Sequence, residues 1–516
     1  MHQPAGRREW VGLAVLCLPI LIASMDVSVL FFAVPFIASD LQPSATQQLW
    51  IFDVYGFVLA GLLLTMGSIG DRIGRRRLLL VGAVAFSAAS LLAAYAQSAE
   101  TLIAARAILG VAGATLMPST LALIRTLFPD ERDRSKAVAI WSAALTGGVS
   151  VGPIISGVLL EHFWWGSVFL INIPAMLLLL ALAPALLPES RGTRSARFDW
   201  LSSLLALGTV IPVIAGVKSA AADGMSMPAA LYALAGLVVG VAFVRRQLVS
   251  DVPMLDVRAL TERRFGGSIA VNVLAMFAVM GNAVILTQYL QSVLGLSPLA
   301  AALWSLVPSV SVAAAAPMAA TLAPRVGRPR VMAGAFAVSV VGFLLVTRVE
   351  PSSGLPLLLV AAGLVSGGLV GVLSLITDYV VGVAPAERAG SVAGLTETSS
   401  ELGGALGMAL LGSVLTAVYR TQVADQLPAG LPGGAAAEAG QTLAGAVAVS
   451  AELPGAQADA VLAAGRAAYT AAMHGASHAA AGVLVLAALL TVTLLRGAEG
   501  AEGTVAAAPE QERVSP

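Results

Sequence analysis

The sequence is short of charge, of cysteine and of any catalytic motif. Only 11% of its 516 residues are charged, against about 25% in a typical soluble domain. A soluble globular protein is therefore excluded, and the composition indicates an integral membrane protein. The single cysteine, Cys17, excludes an internal disulfide and any cysteine-based metal site.

Other absences narrow the functional class. The basic residues occur in small clusters between apolar runs, which argues against a nucleic-acid-binding face. No G-x-x-x-x-G-K-[ST] loop is present, so ATP is not the expected energy source. No His, Cys or Asp cluster has metal-ligand spacing, and Ser and His form no nucleophile motif. We therefore expect neither an enzyme nor a bound cofactor.

Long apolar runs fill most of the chain. About 20 apolar residues in a helix cross the ~30 Å hydrocarbon core of a bilayer. Runs of this kind predict fourteen spans, at 11–34, 48–69, 78–96, 101–124, 137–160, 167–187, 200–217, 227–244, 266–290, 299–323, 331–347, 355–382, 392–418 and 476–495. The predicted fold is therefore an all-α, multi-pass membrane protein.

The distribution of Lys and Arg predicts the orientation of these spans. If the N-terminus is cytoplasmic, 24 of the 29 Lys and Arg residues fall in cytoplasmic segments. Basic residues accumulate on that side of a membrane. We therefore expect both termini in the cytoplasm of a cell whose plasma membrane holds the protein.

A repeated basic hairpin predicts the domain organisation. Arg72–Arg77 and Arg325–Arg330 share the pattern Arg-x-Gly-Arg-x-Arg, and each follows the second span of a six-span set. We predict a six-helix half at 1–190, a two-helix insert with cytoplasmic linkers at 191–250, and a second six-helix half at 251–496. The second half includes an outer loop, 421–475, whose Ala-rich stretches 440–451 and 456–472 predict surface helices. The tail 497–516 has the composition of a disordered segment.

Ionisable residues inside the spans are few, and each costs at least a few kcal/mol at membrane depth. Asp26 lies about fifteen positions into span one, near mid-depth at 1.5 Å per residue. Asp53 lies in span two and Arg106 in span four, while Glu397 and Glu401 share one face of span thirteen. A carboxylate in a cavity can hold either a proton or a cation, which makes cation/proton exchange chemically simple. The alternative is that some of these groups, above all Asp378 near a span end, are merely solvated.

Span five contains four residues with special backbone properties. Gly148 and Gly152 are four residues apart and form one small face that allows close helix packing. Pro153 permits a bend, and Gly157 follows one turn later. The stretch is either a packing seam or the seam along which two halves of the molecule rock.

These motifs together resemble those of the major facilitator superfamily. The loop Gly67–Arg77 (GSIGDRIGRRR) matches the superfamily pattern G-x-x-x-D-R-x-G-R-[KR]-[KR]. Asp26 with Ala33-Val34-Pro35 is similar to the motif of span one, and Arg106 with two following glycines to that of span four. The segments FLINIP (169–174), QSVLGLSP (291–298) and LGGALG (402–407) also fit. The chain most closely resembles the fourteen-helix drug/proton antiporters of the quaternary-ammonium multidrug type (QacA-like).

The resemblance implies a major facilitator fold of 6 + 2 + 6 helices and roles for particular residues. Asp26, Asp53 and Glu397 match acidic positions implicated in protonation or cation recognition, and Glu401 matches a further acidic position. Arg106 would assist proton coupling. The residues implied to form a cytoplasmic conformational latch are Gly67, Asp71, Arg72, Gly74, Arg75 and Arg76, and Gly148, Gly152, Pro153 and Gly157 match the antiporter motif.

The implied function is proton-coupled export of lipophilic cationic drugs and antiseptics by a monomer in the lipid bilayer, driven by the proton gradient. Aromatic rings and methionines supply cation–π and adaptable apolar contacts for such substrates, although packing alone also explains them. The candidate contacts are Met25, Phe31, Tyr55, Phe57, Met280, Tyr289 and Trp304. Two alternatives remain open at this stage: export of an endogenous secondary metabolite or other amphipathic compound, and a membrane sensor built on a transporter fold.

Overall fold

A computed structural model describes residues 6–190, 200–223, 226–250, 257–350, 355–383, 389–428, 431–432 and 434–495. All regular secondary structure in these ranges is helical. In chain order the α-helices are α1 (Arg7–Leu41), α2 (Ala45–Ile73), α3 (Arg75–Ala94), α4 (Ala99–Leu127), α5 (Glu131–His162), α6 (Ser167–Leu170), α7 (Asn172–Leu186), α8 (Trp200–Asp223), α9 (Met227–Val249), α10 (Val257–Thr261), α11 (Arg263–Gln288), α12 (Pro298–Ser305), α13 (Val307–Val326), α14 (Arg328–Val346), α15 (Leu355–Val383), α16 (Ala389–Ala424), α17 (Ala435–Gln441), α18 (Leu443–Glu452) and α19 (Gly455–Leu494). The predicted disordered tail, 497–516, lies outside the described residues.

Twelve helical segments within the described ranges are long and apolar enough to cross a membrane, where the sequence predicts fourteen. The other two predicted spans correspond to α2 and α8, which are helices of 29 and 24 residues. Their apolar stretches among the described residues, 54–63 and 204–213, are shorter than a full span. The structure thus confirms an all-helical, multi-spanning architecture.

Local sequence sets where the helices begin. The hydroxyl group of Ser44 accepts a hydrogen bond from the backbone N–H of Gln47 (3.2 Å), and the Gln47 side chain accepts one from the Ser44 N–H (2.8 Å). This reciprocal capping box satisfies two amides that a helix start otherwise leaves unpaired. Ser98, Ser226 and Ser297 cap α4, α9 and α12 in the simpler, one-sided way.

The two basic hairpins adopt the same backbone bend. Gly74 joins α2 to α3 with φ 112° and ψ 133°, and Gly327 joins α13 to α14 with φ 94° and ψ 134°. A positive φ of this size is readily adopted only by glycine. The shared Arg-x-Gly-Arg-x-Arg sequence therefore corresponds to a shared local structure, with a glycine where each chain reversal requires one.

The helices of the two predicted halves pack mainly among themselves. In the first set α1 packs on α5, α2 on α4, and α3 on both α4 and α7. In the second set α11 packs on α16, α13 on α15, and α14 on α15 and α19. Between the sets, α5 contacts α12, α2 contacts α16 and α1 contacts α11. These contacts bring the predicted halves together.

The insert helices lie against one of these contacts. α8 and α9 pack on each other, and α8 also contacts both α2 and α16. Phe57 of α2 and Ala405 of α16 form a buried apolar cluster to which Ile211 of α8 adds its side chain. Leu207 of α8 meets Gly61 so closely that a Cβ at this glycine would lie 2.9 Å from the Leu207 Cγ. α8 therefore covers the line along which α2 and α16 meet.

The outer loop differs from the prediction. α17 and α18 form surface helices at 435–441 and 443–452, but the predicted surface helix 456–472 is the first part of α19, a single helix of 40 residues. Its small residues gave it too little hydropathy to predict a span. Val461, Ala464, Ala468 and Ala472 are nevertheless buried at helical spacing. This buried face continues into the last span, so no break in the helix occurs.

Candidate functional site

The first feature of the site is a buried ion pair between α1 and α4. Asp26 is 1% exposed and Arg106 is fully buried. The Arg106 Nη1 donates to the Asp26 Oδ2. A buried charge is tolerated only when it is paired and hydrogen-bonded, so each of these residues depends on the other.

Two further donors of Arg106 bind α2. Its Nε donates to the backbone oxygen of Ile51 (3.0 Å) and its Nη2 to that of Phe52 (3.3 Å). The guanidinium carbon lies 4.8 Å from the centre of the Tyr55 ring, in cation–π geometry. The Tyr55 hydroxyl group in turn donates to the backbone oxygen of Ala23 on α1 (3.3 Å). Arg106 therefore ties α1, α2 and α4 together at the level of Asp26.

A third polar side chain, Asn172 at the start of α7, completes this cluster. Its Nδ2 donates to the Asp26 Oδ1 (3.3 Å) and to the hydroxyl oxygen of Ser90 on α3 (3.0 Å). In the sequence Asn172 stands out only as part of a motif, and Ser90 does not stand out. The signal that could have found Asn172 is a lone amide within an apolar segment, directly before the Ile-Pro dipeptide.

Glu401 lies where the two helix sets meet. Its carboxylate packs against Gly56 of α2, and a Cβ added to this glycine would lie 2.6 Å from the Glu401 Cδ. The neighbouring part of α16 is held to α11 by Asn272, whose Nδ2 donates to the hydroxyl oxygens of Ser399 (2.7 Å) and Ser400 (2.9 Å). The absence of a side chain at Gly56 thus makes room for an acidic group between α2 and α16.

Two of the predicted carboxylates cannot be placed in this arrangement. The side chains of Asp53 and Glu397 lie outside the described part of the structure. Their backbone positions are about one helical turn from Gly56 in α2 and from Glu401 in α16. Among the described residues, no group of three or more His, Cys, Asp or Glu side chains is arranged to hold a metal ion.

Glu189 anchors the predicted latch, although it does not stand out in the sequence. Glu189 Oε1 accepts a hydrogen bond from the backbone N–H of Arg76 (3.1 Å), and its Oε2 lies 3.7 Å from Arg76 Nε and 3.9 Å from Arg77 Nε. It also packs on Gly74, where a Cβ would lie 2.7 Å from the Glu189 Cδ. Only the position of Glu189 just after span six, on the same side of the membrane, could have indicated this partner.

The other latch residues connect the hairpin to its own helix set. The backbone N–H of Arg75 donates to the backbone oxygen of Ser190 (2.8 Å). Gly67 faces Pro118 of α4, and a Cβ built on Gly67 would lie 3.8 Å from the Pro118 Cβ. Arg72 is exposed. The side chain of Asp71 lies outside the described residues.

The glycines of the span-five motif face two different neighbours. Gly148 and Gly152 pack on α1, and a Cβ at Gly152 would lie 2.9 Å from the Met25 Cγ and 3.2 Å from the Met25 backbone oxygen. Gly157 instead packs on Leu299 of α12, where a Cβ would lie 2.6 Å from the Leu299 Cα. The first pair therefore makes a seam within one helix set, and Gly157 makes a contact between the sets. Pro153 lies inside α5, which is a single helix.

The predicted substrate contacts are divided among several places. Met25 and Tyr55 adjoin the buried ion pair, Phe31 lies 5.3 Å from the Phe52 ring, and Phe57 and Met280 pack on residues of α16. Two others lie elsewhere. The Tyr289 hydroxyl group donates to the backbone oxygen of Glu350 (3.4 Å), and Trp304 of α12 is 43% exposed.

These features define a class of protein: a multi-pass helical membrane transporter with two sets of helices, a buried ion pair inside the first set and an acidic side chain where the two sets meet. The family comparison makes the class specific. The model of the Major Facilitator Superfamily matches residues 16–408, and the chain belongs to this superfamily. It is a multi-pass protein of the plasma membrane.

Curated relatives extend over most of the chain. The multidrug efflux pump LfrA of Mycolicibacterium smegmatis is 44% identical over 486 residues, which cover 94% of this chain and 96% of LfrA. The methyl viologen resistance protein SmvA of Salmonella typhimurium is 33% identical over 77% of this chain and 80% of its own. The tetracenomycin C resistance and export protein of Streptomyces glaucescens is 29% identical over 78% and 76% of the two chains.

Solved structures support the fold. The nucleoside transporter NupG superimposes with a TM-score of 0.62 at 11% identity, over 94% of this chain and all of NupG. A bacterial homologue of the lysosomal transporter Spinster also gives a TM-score of 0.62, at 16% identity, over 95% and 99% of the two chains. At these identities the likeness shows the transporter fold and no substrate.

Proposed function

We propose that this protein is a proton-driven exporter of lipophilic cationic compounds, with fourteen spans and both termini in the cytoplasm. The names of the LfrA and SmvA relatives support drug export, and methyl viologen is an organic cation. The Glu401 carboxylate lies between α2 and α16, the helices whose Phe57 and Ala405 form an apolar cluster, and this combination suits a substrate that is both apolar and positively charged. The gradient of protons across the membrane supplies the energy.

The observation that carries this proposal is the buried pair of Asp26 and Arg106. The Asp26 carboxylate already binds Arg106 and Asn172, so a substrate cation competes poorly for it. A proton, by contrast, neutralises the carboxyl group and removes its electrostatic attraction to Arg106. Asp26 is therefore assigned to the proton, and the carboxyl groups at the contact of α2 and α16 (Asp53, Glu397 and Glu401) are assigned to the cation.

The link between the two events runs through α2. Arg106 binds the backbone oxygens of Ile51 and Phe52, which directly precede Asp53 in the chain. When Asp26 takes up a proton, Arg106 loses its negatively charged partner, and its hydrogen bonds to the backbone of α2 change. α2 carries Asp53 and also contacts Glu401 of the other helix set. Proton uptake in one set can therefore alter cation binding between the sets.

The basic hairpin is assigned a separate role as the conformational latch. Glu189 holds Arg76 and Arg77 at the cytoplasmic end of the first helix set, so the hairpin moves with that set as a body. In this role it makes or releases contacts with the second set as the transporter changes conformation.

A second candidate function is export of an endogenous amphipathic metabolite. The observation that favours it is the relative from Streptomyces glaucescens, which is named for resistance to, and export of, tetracenomycin C. The fold and the buried ion pair serve such a cargo equally well. The two candidates differ in the charge of the preferred substrate.

Transport of ethidium, a lipophilic cation, into inverted membrane vesicles tests the proposal. We expect uptake when the vesicle interior is acidic, and loss of uptake when the gradient is collapsed or when Asp26 is replaced in Asp26→Asn. Asp40→Asn is a matched control on the same helix, because Asp40 lies near its outer end and accepts a hydrogen bond from Trp165 (2.6 Å). A correctly inserted wild type that moves no ethidium would contradict cation export and favour the metabolite.

A further inference from the structure

The buried side chain of Asn172 has one polar atom without a hydrogen-bond partner among the described residues. The side chain is 1% exposed. Its Nδ2 makes both of the amide's hydrogen bonds, to Asp26 and to Ser90. Its Oδ1 is buried and accepts no hydrogen bond among the described residues. A buried polar atom without a partner destabilises a fold and calls for an explanation.

The surroundings of Asp26 leave few groups that can respond to its charge. Among the described residues, the elements that pack on this part of α1 contribute Arg106 from α4 as a charged group, Tyr55 from α2 as a second titratable group, and the neutral Ser90 and Asn172 from α3 and α7. α5 approaches through Gly148 and Gly152 and through Ser156, whose hydroxyl group donates to the backbone oxygen of Val29 on α1 (3.0 Å). Asn172 is a neutral side chain that bonds the carboxyl group itself.

We propose that Asn172 is a positioning residue that serves both protonation states of Asp26 by a half-turn of its amide. An ionised carboxylate only accepts hydrogen bonds, and the Asn172 Nδ2 donates to it in the structure. A protonated carboxyl group has an O–H to donate, and the unpartnered Asn172 Oδ1 is an acceptor on the same amide group. A half-turn about the Cβ–Cγ bond exchanges the two atoms.

Ser90 fits both orientations. Its hydroxyl group accepts from the Asn172 Nδ2 in the structure, and a hydroxyl group can donate to an oxygen equally well. After the half-turn the Nδ2 occupies the unpaired place that the Oδ1 has now. A buried N–H without a partner is less well tolerated than a buried carbonyl oxygen, so the amide returns once Asp26 releases its proton.

This inference rests on the proposed function, because it assigns the proton to Asp26. Asn172 is needed for the step in which Asp26 gains or loses a proton, and not for the movement of substrate across the membrane. Exchange of substrate across the membrane without net proton movement therefore separates the two.

The experiment compares two activities of the full-length protein in proteoliposomes. One is ethidium uptake driven by a proton gradient, and the other is ethidium counterflow without a gradient. For Asn172→Leu we expect gradient-driven uptake to fall about tenfold or more, the effect of losing one hydrogen bond to a charged group, while counterflow stays within about twofold. For Ser87→Ala, which removes a hydroxyl group that donates to the backbone oxygen of Ala83 on the same helix as Ser90 (2.9 Å), we expect both activities to stay within about twofold.

Three results would overturn the inference. They are unchanged gradient-driven uptake in Asn172→Leu, an equal loss of both activities in it, or the same selective loss in Ser87→Ala, which would show that the effect does not depend on the contact with Asp26. If Asn172→Leu does not accumulate in the membrane, the smaller Asn172→Ala gives the same comparison. A wild type with counterflow but no gradient-driven uptake would overturn the proposed proton coupling and the inference with it.

Discussion

The ion pair between Asp26 and Arg106 predicts that its two members respond differently to substitution and to pH. Removing one partner of a buried pair costs about 3–5 kcal/mol, because a charge stays buried without compensation. In Asp26→Asn the remaining charge belongs to Arg106, which cannot lose its proton. Its bonds to two backbone oxygens and the Tyr55 ring offset part of this, so we expect a loss of about 3 kcal/mol.

In Arg106→Leu the remaining group can become neutral by taking up a proton. The free energy needed is at most that of protonating an ordinary aspartate at the ambient pH. With a reference pKa of about 3.9 and about 1.4 kcal/mol per pH unit, the upper limit is about 4 kcal/mol at pH 7 and about 1.5 kcal/mol at pH 5. Lowering the pH from 7 to 5 should therefore restore stability to Arg106→Leu, by up to about 2–3 kcal/mol, and none to Asp26→Asn.

Unfolding of the purified variants, followed by the fluorescence of the seven Trp residues, measures this at both pH values relative to wild type. Glu100→Gln is the control, since Glu100 is exposed and accepts a hydrogen bond from Gln47 (2.6 Å), and surface substitutions usually change stability by about 0.5 kcal/mol or less. A parallel pH response of Asp26→Asn and Arg106→Leu would refute the reasoning, as would wild-type stability of Asp26→Asn.

Two glycine substitutions test the packing that surrounds the site. Gly152→Val should destabilise the protein by about 1–3 kcal/mol and lower ethidium efflux from cells, because the new side chain overlaps Met25. Gly147→Val, with no neighbouring atom within 4 Å of an added Cβ, should stay close to wild type. Equal efflux by both variants would contradict close packing between α5 and α1 at Gly152. Gly74→Ala should lower the unfolding midpoint, because its φ of 112° costs a residue with a Cβ about 1–3 kcal/mol. Gly334→Ala, in open space, is its control, and an unchanged midpoint for Gly74→Ala would show that the bend is unstrained.

The sequence predicted the helices and the repeated hairpin because these depend on local properties. Apolar runs identify spans wherever they are long, and a glycine between basic residues marks both reversals, at Gly74 and Gly327. The run 456–472 was mistaken for a surface helix because Ala and Gly carry little hydropathy. What makes it part of α19 is packing against its neighbours, which a hydropathy pattern does not report.

The partners of the site residues could not be predicted because they are distant in the chain. Asp26 and Arg106 stand out in apolar segments, yet they are 80 residues apart. Glu189 is 113 residues from Arg76 and reads in the sequence as an ordinary surface acid. The contact of Glu401 with α2 depends on Gly56 having no side chain. Each of these pairings is decided by which helices pack together.

In the proposed mechanism Asp26 gains and loses a proton in step with the substrate cation. Proton release from the purified protein can be measured in weak buffer at mildly acidic pH when a lipophilic cation such as ethidium is added. We expect release by wild type and by Asp40→Asn, and none by Asp26→Asn. Equal release by Asp26→Asn would contradict the claim and move the proton to another carboxyl group.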